Sequence, residues 1–384
     1  MTHERIWLSP PHLTGNEQEY INEALATNWV SPYGENINMF EDGLKSYFGL
    51  PGVALTISGT SAIHLALILA GVGPGDEVIL PTLNFAGCVN PVLYQNAVPL
   101  FIDSERSTWN IDPNIAEDAI KHRLAAGKKP KAILAVHLFG IPCLIEELLE
   151  IGRRYEIPVI EDAPDAIGAR INGQLVGTFG QSGIISFNGN KILTTSGGGA
   201  LISNDTQLIA KAKYLSNQAR KFKPYYVHEE TGYNYMMSNV LAGIGRAQLA
   251  VVEDRVQRKR AIYSYYEKQL AGINDIIFHQ DMPGNESNRW LSTILVEGAG
   301  LRNSLYESLK SANIEARPVW RPMHKQPAYD KYPYYGGNIA DHLFECGLCL
   351  PSGTAMQQND LDRVVNLIST HYHSAKRLSS TKAS

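Results

Sequence analysis

Short runs of β-branched and other apolar residues alternate with helix-length periodic segments, and this alternation constrains the fold of the 384-residue chain more than any other feature. Val53–Ile57 reads as a strand, with a helix from about Ser61 to Ala70 behind it. Glu77–Leu80 is a strand, followed by a helix near Ala86–Tyr94. Val98–Ile102 and Ala132–Val136 are strands, Leu144–Tyr155 is a helix, and Val159–Ile160 is a strand that ends in the carboxylates Glu161 and Asp162. Such β-α-β alternation predicts an α/β fold with a mostly parallel sheet covered on both faces. Ligands of open α/β sheets bind beyond the carboxyl ends of the strands, so residues just past these runs are the candidates for chemistry.

The length allows one large domain and a smaller one. A long amphipathic stretch from about Asn239 to Leu270 reads as a connecting helix. After it come a strand (Trp290–Val296), a helix (Leu301–Ser311) and a last helix (Leu361–His371), a pattern that suggests a smaller α+β domain. The expected division is therefore 1–250 for the N-terminal segment and large domain and 251–384 for the smaller domain. The tail Ser379–Ser384 is small and polar and is expected to be disordered. A hydrophobic content of 44% with 19% charged residues fits an ordinary globular enzyme, and a net charge of −4 gives no reason to expect nucleic acid or an anionic membrane as a partner. No apolar run approaches the roughly 20 residues that span a bilayer, and Met1–Arg5 has no apolar segment for export, so the cytoplasm is the expected location. Cys346 and Cys349 form a Cys-x-x-Cys, but no second pair stands at ligand spacing and leucines surround it; packing is expected rather than a redox or metal site.

The stretch Ile185–Gly199 carries the chemistry. An apolar run ends in Ser186 and a turn, then one lysine, Lys191, and three consecutive glycines, which allow the backbone to approach a ligand closely. Read from spacing alone, Lys191 is either a surface loop lysine or an amine for Schiff-base chemistry. An aspartate at a strand end, Asp162, completes the minimum kit for pyridoxal phosphate chemistry. Asp162 read alone could also cap the next helix. Its neighbour Glu161 is an alternative, but adjacent strand residues point to opposite faces, so one of the two can face a ring. Ser58-Gly59-Thr60-Ser61 stands between a strand and a helix, where free N–H groups and hydroxyls suit a phosphate or simply cap the helix. Phe85 follows another strand end and is either core or a ring-stacking residue.

These motifs, with Trp29-Val-Ser, Gly232-Tyr-Asn234-Tyr and Arg317-Pro-Val-Trp-Arg-Pro-Met-His324, resemble those of the DegT/DnrJ/EryC1/StrS family of sugar aminotransferases. The resemblance runs over most of the chain. It implies the fold type I, aspartate-aminotransferase-like architecture of pyridoxal phosphate enzymes and a homodimer with shared active sites. It implies Lys191 as the Schiff-base lysine and Asp162 as the partner of the pyridine nitrogen. Gly59, Thr60, Ser61 and Ser186 are expected around the cofactor phosphate and Phe85 against the ring. Asn234 is expected on a loop that reaches the neighbouring subunit's phosphate. Asp165 stands where relatives usually carry Gln, His or Glu near the phenolic oxygen, and Met236 where they commonly carry arginine. No metal site is implied.

Two basic-aromatic clusters remain, one of Arg220, Lys221, Phe222, Lys223, Tyr225, Tyr226 and His228, the other of Arg317, Trp320, Arg321, His324 and Lys325. Such clusters are either solvated surface or a site for a nucleotide diphosphate. By resemblance, Arg220, Trp320, Arg321 and His324 are expected to contact a nucleotide-sugar substrate. The segments Leu215–Arg220 and Trp320–His324 look most like the UDP-4-amino-sugar, bacillosamine-type branch. The implied reaction moves an amino group, with glutamate as the expected donor, to a UDP-linked 4-keto sugar. A dTDP- or GDP-linked acceptor of the perosamine type, a sugar dehydratase using the same cofactor and a non-catalytic binding protein are the alternatives; dehydratase relatives carry histidine at the lysine position, so Lys191 argues against that one.

Overall fold

A computed structural model describes residues 4–382 apart from Phe222 and Glu297. Its centre is an eight-stranded sheet in the order Gly52–Thr56, Gly199–Ser203, Ser182–Ser186, Val159–Asp162, Ala132–Val136, Glu77–Pro81, Val98–Ile102 and Tyr334–Tyr335. Gly199–Ser203 runs antiparallel to both neighbours, so the other seven strands share one direction. The five-residue strands Gly52–Thr56, Glu77–Pro81 and Ala132–Val136 are buried along their whole length, as an apolar run must be when helices cover both faces. Gly199 closes the sheet against the next motif: a Cβ there would lie 2.5 Å from the Gly59 nitrogen, so no side chain fits between strand and helix start.

The expected strands and helices of the first half are present to within about two residues. One reading needs correction. The stretch Asn239–Leu270 is two helices, Asn239–Leu249 and Val252–Leu270, because Val251 leaves helical geometry (φ −118°, ψ 11°). No Gly or Pro marks that break in the sequence. The last helix runs Gln358–Lys382, so it enters the tail expected to be disordered; residues 383–384 lie outside the described part.

A second sheet, Ile276–Phe278, Ser292–Val296, Gly347–Leu350 and Arg317–Pro318, carries its own apolar core, including Ile262, Tyr266, Leu305 and Val364. We propose a two-part organisation divided near residue 250, with two exchanges across it. Ile6 packs in the second core and bridges Ile314, while Tyr334–Tyr335 form the edge strand of the large sheet. No helix of the described residues is long and apolar enough to cross a membrane.

Candidate active site

At the carboxyl ends of the codirectional strands lies a cavity of about 870 Å³. Asp162, the last residue of its strand, lines it, and so do Ser186, Asn84 and Phe85 from neighbouring strand ends. Strand alternation separates the two adjacent carboxylates. Glu161 turns to the other face, where the N–H groups of Gly177 (2.7 Å), Phe179 (2.6 Å) and Gly180 (2.7 Å) donate to it. Cys143 N–H donates to His137 Nδ1 at 3.1 Å, so His137 presents Nε2–H to Glu161, also at 3.1 Å. Glu161 is thus a structural acceptor.

Asp162 is 2% exposed, and its Oδ1 has no hydrogen-bond partner. Burial pushes its carboxyl up to about 6; the Cys88 thiol and the charge of Lys191 oppose that rise, and nearby Asp165 adds to it. A buried carboxylate with an unpartnered oxygen, on a residue in the cavity wall, fits a protonated ring nitrogen.

Lys191 stands in the loop after Ser186, which Phe187 and Thr195 close: Phe187 N–H donates to Gly198 C=O and Thr195 N–H to Phe187 C=O, both at 2.9 Å. Its amine lies 4.2 Å from the centre of the Trp290 ring and contacts the Asp165 carboxylate. Burial raises the Asp165 carboxyl, against the pull of Lys191. Buried Asn288 fixes this group. Its amide donates to the carbonyls of Asp165 and Ile167, each at 2.8 Å, and its Oδ1 accepts from Trp290 N–H at 2.8 Å. Trp290 Nε1–H in turn donates to the Asn190 carbonyl at 2.8 Å, next to Lys191.

The helix Gly59–Leu69 begins at the cavity with a reciprocal cap between Ser58 and Ser61, each side chain bonded to the other's backbone N–H at 3.1 Å. Gly59 and Thr60 line the cavity and carry first-turn N–H groups that the helix cannot satisfy. Ser61 is buried behind them, its hydroxyl and N–H engaged in the cap, and it does not line the cavity. Ser186 packs across from Gly59, 3.0 Å from where a Cβ would stand.

Phe85 is 62% exposed for so large an apolar side chain, and it meets Trp320 with ring centres 5.6 Å apart. Trp320 also packs on Phe139 at 4.9 Å. Phe85, Trp320 and Trp290 form an aromatic wall, backed by buried Phe139.

The remaining expected residues lie outside this cavity of the single chain. Arg220 donates to the Tyr33 hydroxyl at 2.8 Å, in a hairpin whose Phe222 is outside the described residues. Asn234 is exposed and bridges Asn217. Met236 bridges Thr56, at the end of the strand that leads to Ser58. Arg321 is exposed. The His324 ring is stacked on Tyr334 at 3.9 Å, and its Nδ1 is paired with the Thr82 hydroxyl at 2.7 Å. Cys346 and Cys349 are buried, and Cys349 forms part of the cavity wall. Among the described residues no group of three or more His, Cys, Asp or Glu could hold a metal.

Several lining residues were not anticipated: Trp290, Cys88, Asn190 and the N-terminal segment Trp7–Pro11. The N-terminal residues follow the chain start by too few positions to show any periodicity, and nothing local reveals that they fold back onto the site.

Comparison with known proteins agrees with this geometry. The DegT/DnrJ/EryC1/StrS aminotransferase family matches residues 11–369. The chain is 43% identical over 378 residues to the putative pyridoxal phosphate-dependent aminotransferase EpsN of Bacillus subtilis, covering 97% of each protein. It is 36% identical to GDP-perosamine synthase of Escherichia coli O157:H7, covering 94% of this chain and 97% of that one. A DegT DnrJ EryC1 StrS aminotransferase from Brucella abortus superposes with a TM-score of 0.88 at 26% identity, over 93% of this chain and 95% of that one. With a lysine, an unpartnered buried aspartate and an open helix N-terminus converging on one cavity of a fold type I architecture, the chain belongs to the DegT/DnrJ/EryC1/StrS aminotransferase family and is a pyridoxal phosphate-dependent aminotransferase.

Proposed function

We propose that this enzyme transfers an amino group from glutamate to C4 of a UDP-linked 4-keto-6-deoxy-2-acetamido sugar, for a bacterial surface glycan or glycoprotein. The observation that carries the aminotransferase chemistry is the convergence of Lys191 and the unpartnered Asp162 oxygen on one cavity. Pyridoxal phosphate, when bound, would supply the electron sink for breaking the Cα–H bond of the donor. Lys191 would be the attachment amine, and its Nζ, when free, would be placed to hold and move a proton at the donor's Cα. Asp162 would hold a proton at the ring nitrogen, and Gly59, Thr60 and Ser186 would hold the phosphate, with Ser61 supporting them through the cap. Phe85 would lie against the ring, and Asp165, beside Lys191, would be near the phenolic oxygen. Trp320 and Arg317 border the acceptor's path, and both line the cavity.

Arg220, Asn234 and Arg321 enter this reading through a homodimer. Asn234 is exposed on a loop held to its own chain, where Tyr233 N–H donates to Leu215 C=O at 2.8 Å. Such a loop can present a side chain to a second subunit without refolding. Mixing Lys191→Ala with Asn234→Ala subunits gives mixed dimers in which one site has both defects and the other neither. Activity should return to about a quarter of the wild-type level at random pairing. Mixed dimers without activity mean that the loop serves its own subunit.

The identity of the nucleotide is the finer step. The segments Leu215–Arg220 and Trp320–His324 favour UDP, whereas the relatives described as GDP-perosamine synthases favour a second reading, a GDP-linked 4-keto sugar. Competition among UDP-, dTDP- and GDP-linked 4-keto sugars at matched concentrations decides it through kcat/KM. We expect the UDP substrate to lead by about tenfold or more; a higher value for GDP moves the assignment to the perosamine type, and amination at C3 overturns the regiochemistry.

A further inference from the structure

The N-terminal segment contributes a residue that the reading above does not use. Trp7 is 53% exposed yet lines the cavity. It is not a loose end. Ile6 N–H donates to Asn313 C=O (3.1 Å) and Ile6 C=O accepts from Glu315 N–H (2.8 Å) on one side of Trp7. On the other, Leu8 N–H donates to a Glu315 carboxylate oxygen (3.2 Å) and Leu8 C=O accepts from Ser352 N–H (2.6 Å). The Ser9 hydroxyl then donates to the Asn190 carbonyl at 3.3 Å, which ties this strap to the residue beside Lys191. A guanidinium, that of Arg5, lies 4.2 Å from the centre of the Trp7 ring. Arg317, paired with Glu315 at 2.9 Å, also borders the cavity, and its side chain is 61% exposed.

Leaving a tryptophan half in water forgoes burial of a large apolar surface, and pinned backbone on both sides keeps it from collapsing. Asp162 and Lys191 are at the closed end, 2% and 12% exposed, and Trp7 and Arg317 are at the open end. A nucleotide sugar has the same polarity: its keto carbon must reach Lys191, its diphosphate follows, and its planar base lies farthest out. We infer that Trp7 is a specificity-determining residue that stacks on the nucleobase of the acceptor at the cavity mouth, with Arg317 beside it for the diphosphate. This rests on the nucleotide-sugar reading and adds to it the residue that recognises the base.

The test uses the loaded enzyme and UDP, dTDP and GDP as inhibitors of the reaction with the acceptor, in the wild type, Trp7→Ala and Trp7→Phe. Aromatic stacking on a base corresponds to about a tenfold or larger change in affinity. Trp7→Ala should weaken inhibition by the best of the three about tenfold or more and raise the acceptor KM similarly, while Trp7→Phe recovers most of the loss. The glutamate half-reaction, followed by the cofactor's absorbance without acceptor, should be unchanged in both variants, which a general structural defect would not allow. Inhibition unaltered in Trp7→Ala, or equal losses in both half-reactions, overturns the stacking role. A change in the dimer equilibrium alone assigns Trp7 to an interface and likewise overturns it. Failure of all three nucleotides to inhibit the wild type overturns the nucleotide-sugar reading itself, and the stacking role with it.

Discussion

Lys191→Ala should lose transamination by about 1,000-fold or more while keeping its fold, and borohydride should fix no pyridoxyl group to it. In the wild type, reduction followed by peptide mapping should place the label on the peptide that contains Lys191. The expectation rests on geometry as well as on residue type. Lys191 stands in a closed loop directly after a strand end, its amine over the Trp290 ring and against Asp165, at the closed end of the cavity. Lys259, which is deeply buried, is a control. Its amine donates to the Trp290 carbonyl and the Ser9 hydroxyl, each at 2.9 Å, and burial pulls it down to about 7. It is chemically reactive in principle but does not border the cavity. A label found on Lys259, or near-normal turnover in Lys191→Ala, would remove Lys191 from the mechanism.

How much of this was readable in the sequence differs by element. The buried strands were legible because an apolar run of five residues covered on both faces has few other places to go. Asp162, Ser186 and Lys191 were legible because they follow such runs at the carboxyl edge, where topology places ligands. The helices Pro113–Ala125 and Thr206–Ser216 are less legible although each carries a local start signal. Asp112 accepts from Asn114 N–H at 2.8 Å ahead of a proline, and Asp205 accepts from Gln207 N–H at 2.8 Å. Their mixed polar faces weaken the apolar periodicity that marks a helix. The break at Val251 and the placement of His324 were not legible, since each depends on packing partners distant in the chain. The same holds for Trp7 in the cavity wall and for Asn288 behind it: backbone pairing of Ile6 and Leu8 brings Trp7 to the cavity, and bonds to Asp165 and Trp290 place Asn288, contacts that no local spacing encodes.

Asp162→Asn should uncouple stability from catalysis. In the cofactor-free protein the Asp162 carboxyl is raised from 3.8 to about 6, chiefly by burial. A carboxyl whose pKa is higher in the folded state than in the unfolded one binds its proton more tightly when folded. The fold is therefore favoured at acid pH, and that advantage is lost as pH climbs from about 4 through about 6. Above that window the ionised, buried carboxylate costs roughly 3 kcal/mol. The neutral amide that replaces it carries no such charge, so cofactor-free Asp162→Asn should melt a few degrees higher than the wild type at pH 8 and show little or no gain at pH 4. Catalysis should move the other way. The ring nitrogen loses the anion that holds its proton, the electron sink weakens, and turnover should fall about 100-fold or more with the protein intact. Cofactor binding ties the two effects together, because a protonated ring nitrogen gives the unpartnered Oδ1 its missing donor and removes much of the penalty. Loading should thus stabilise the wild type more than Asp162→Asn, measured as the difference in melting midpoint with and without cofactor at pH 8. An equal gain on loading in both proteins, together with near-normal turnover in the variant, would take the ring-nitrogen role from Asp162 and leave Asp165 as the remaining carboxylate on the cavity wall beside Lys191.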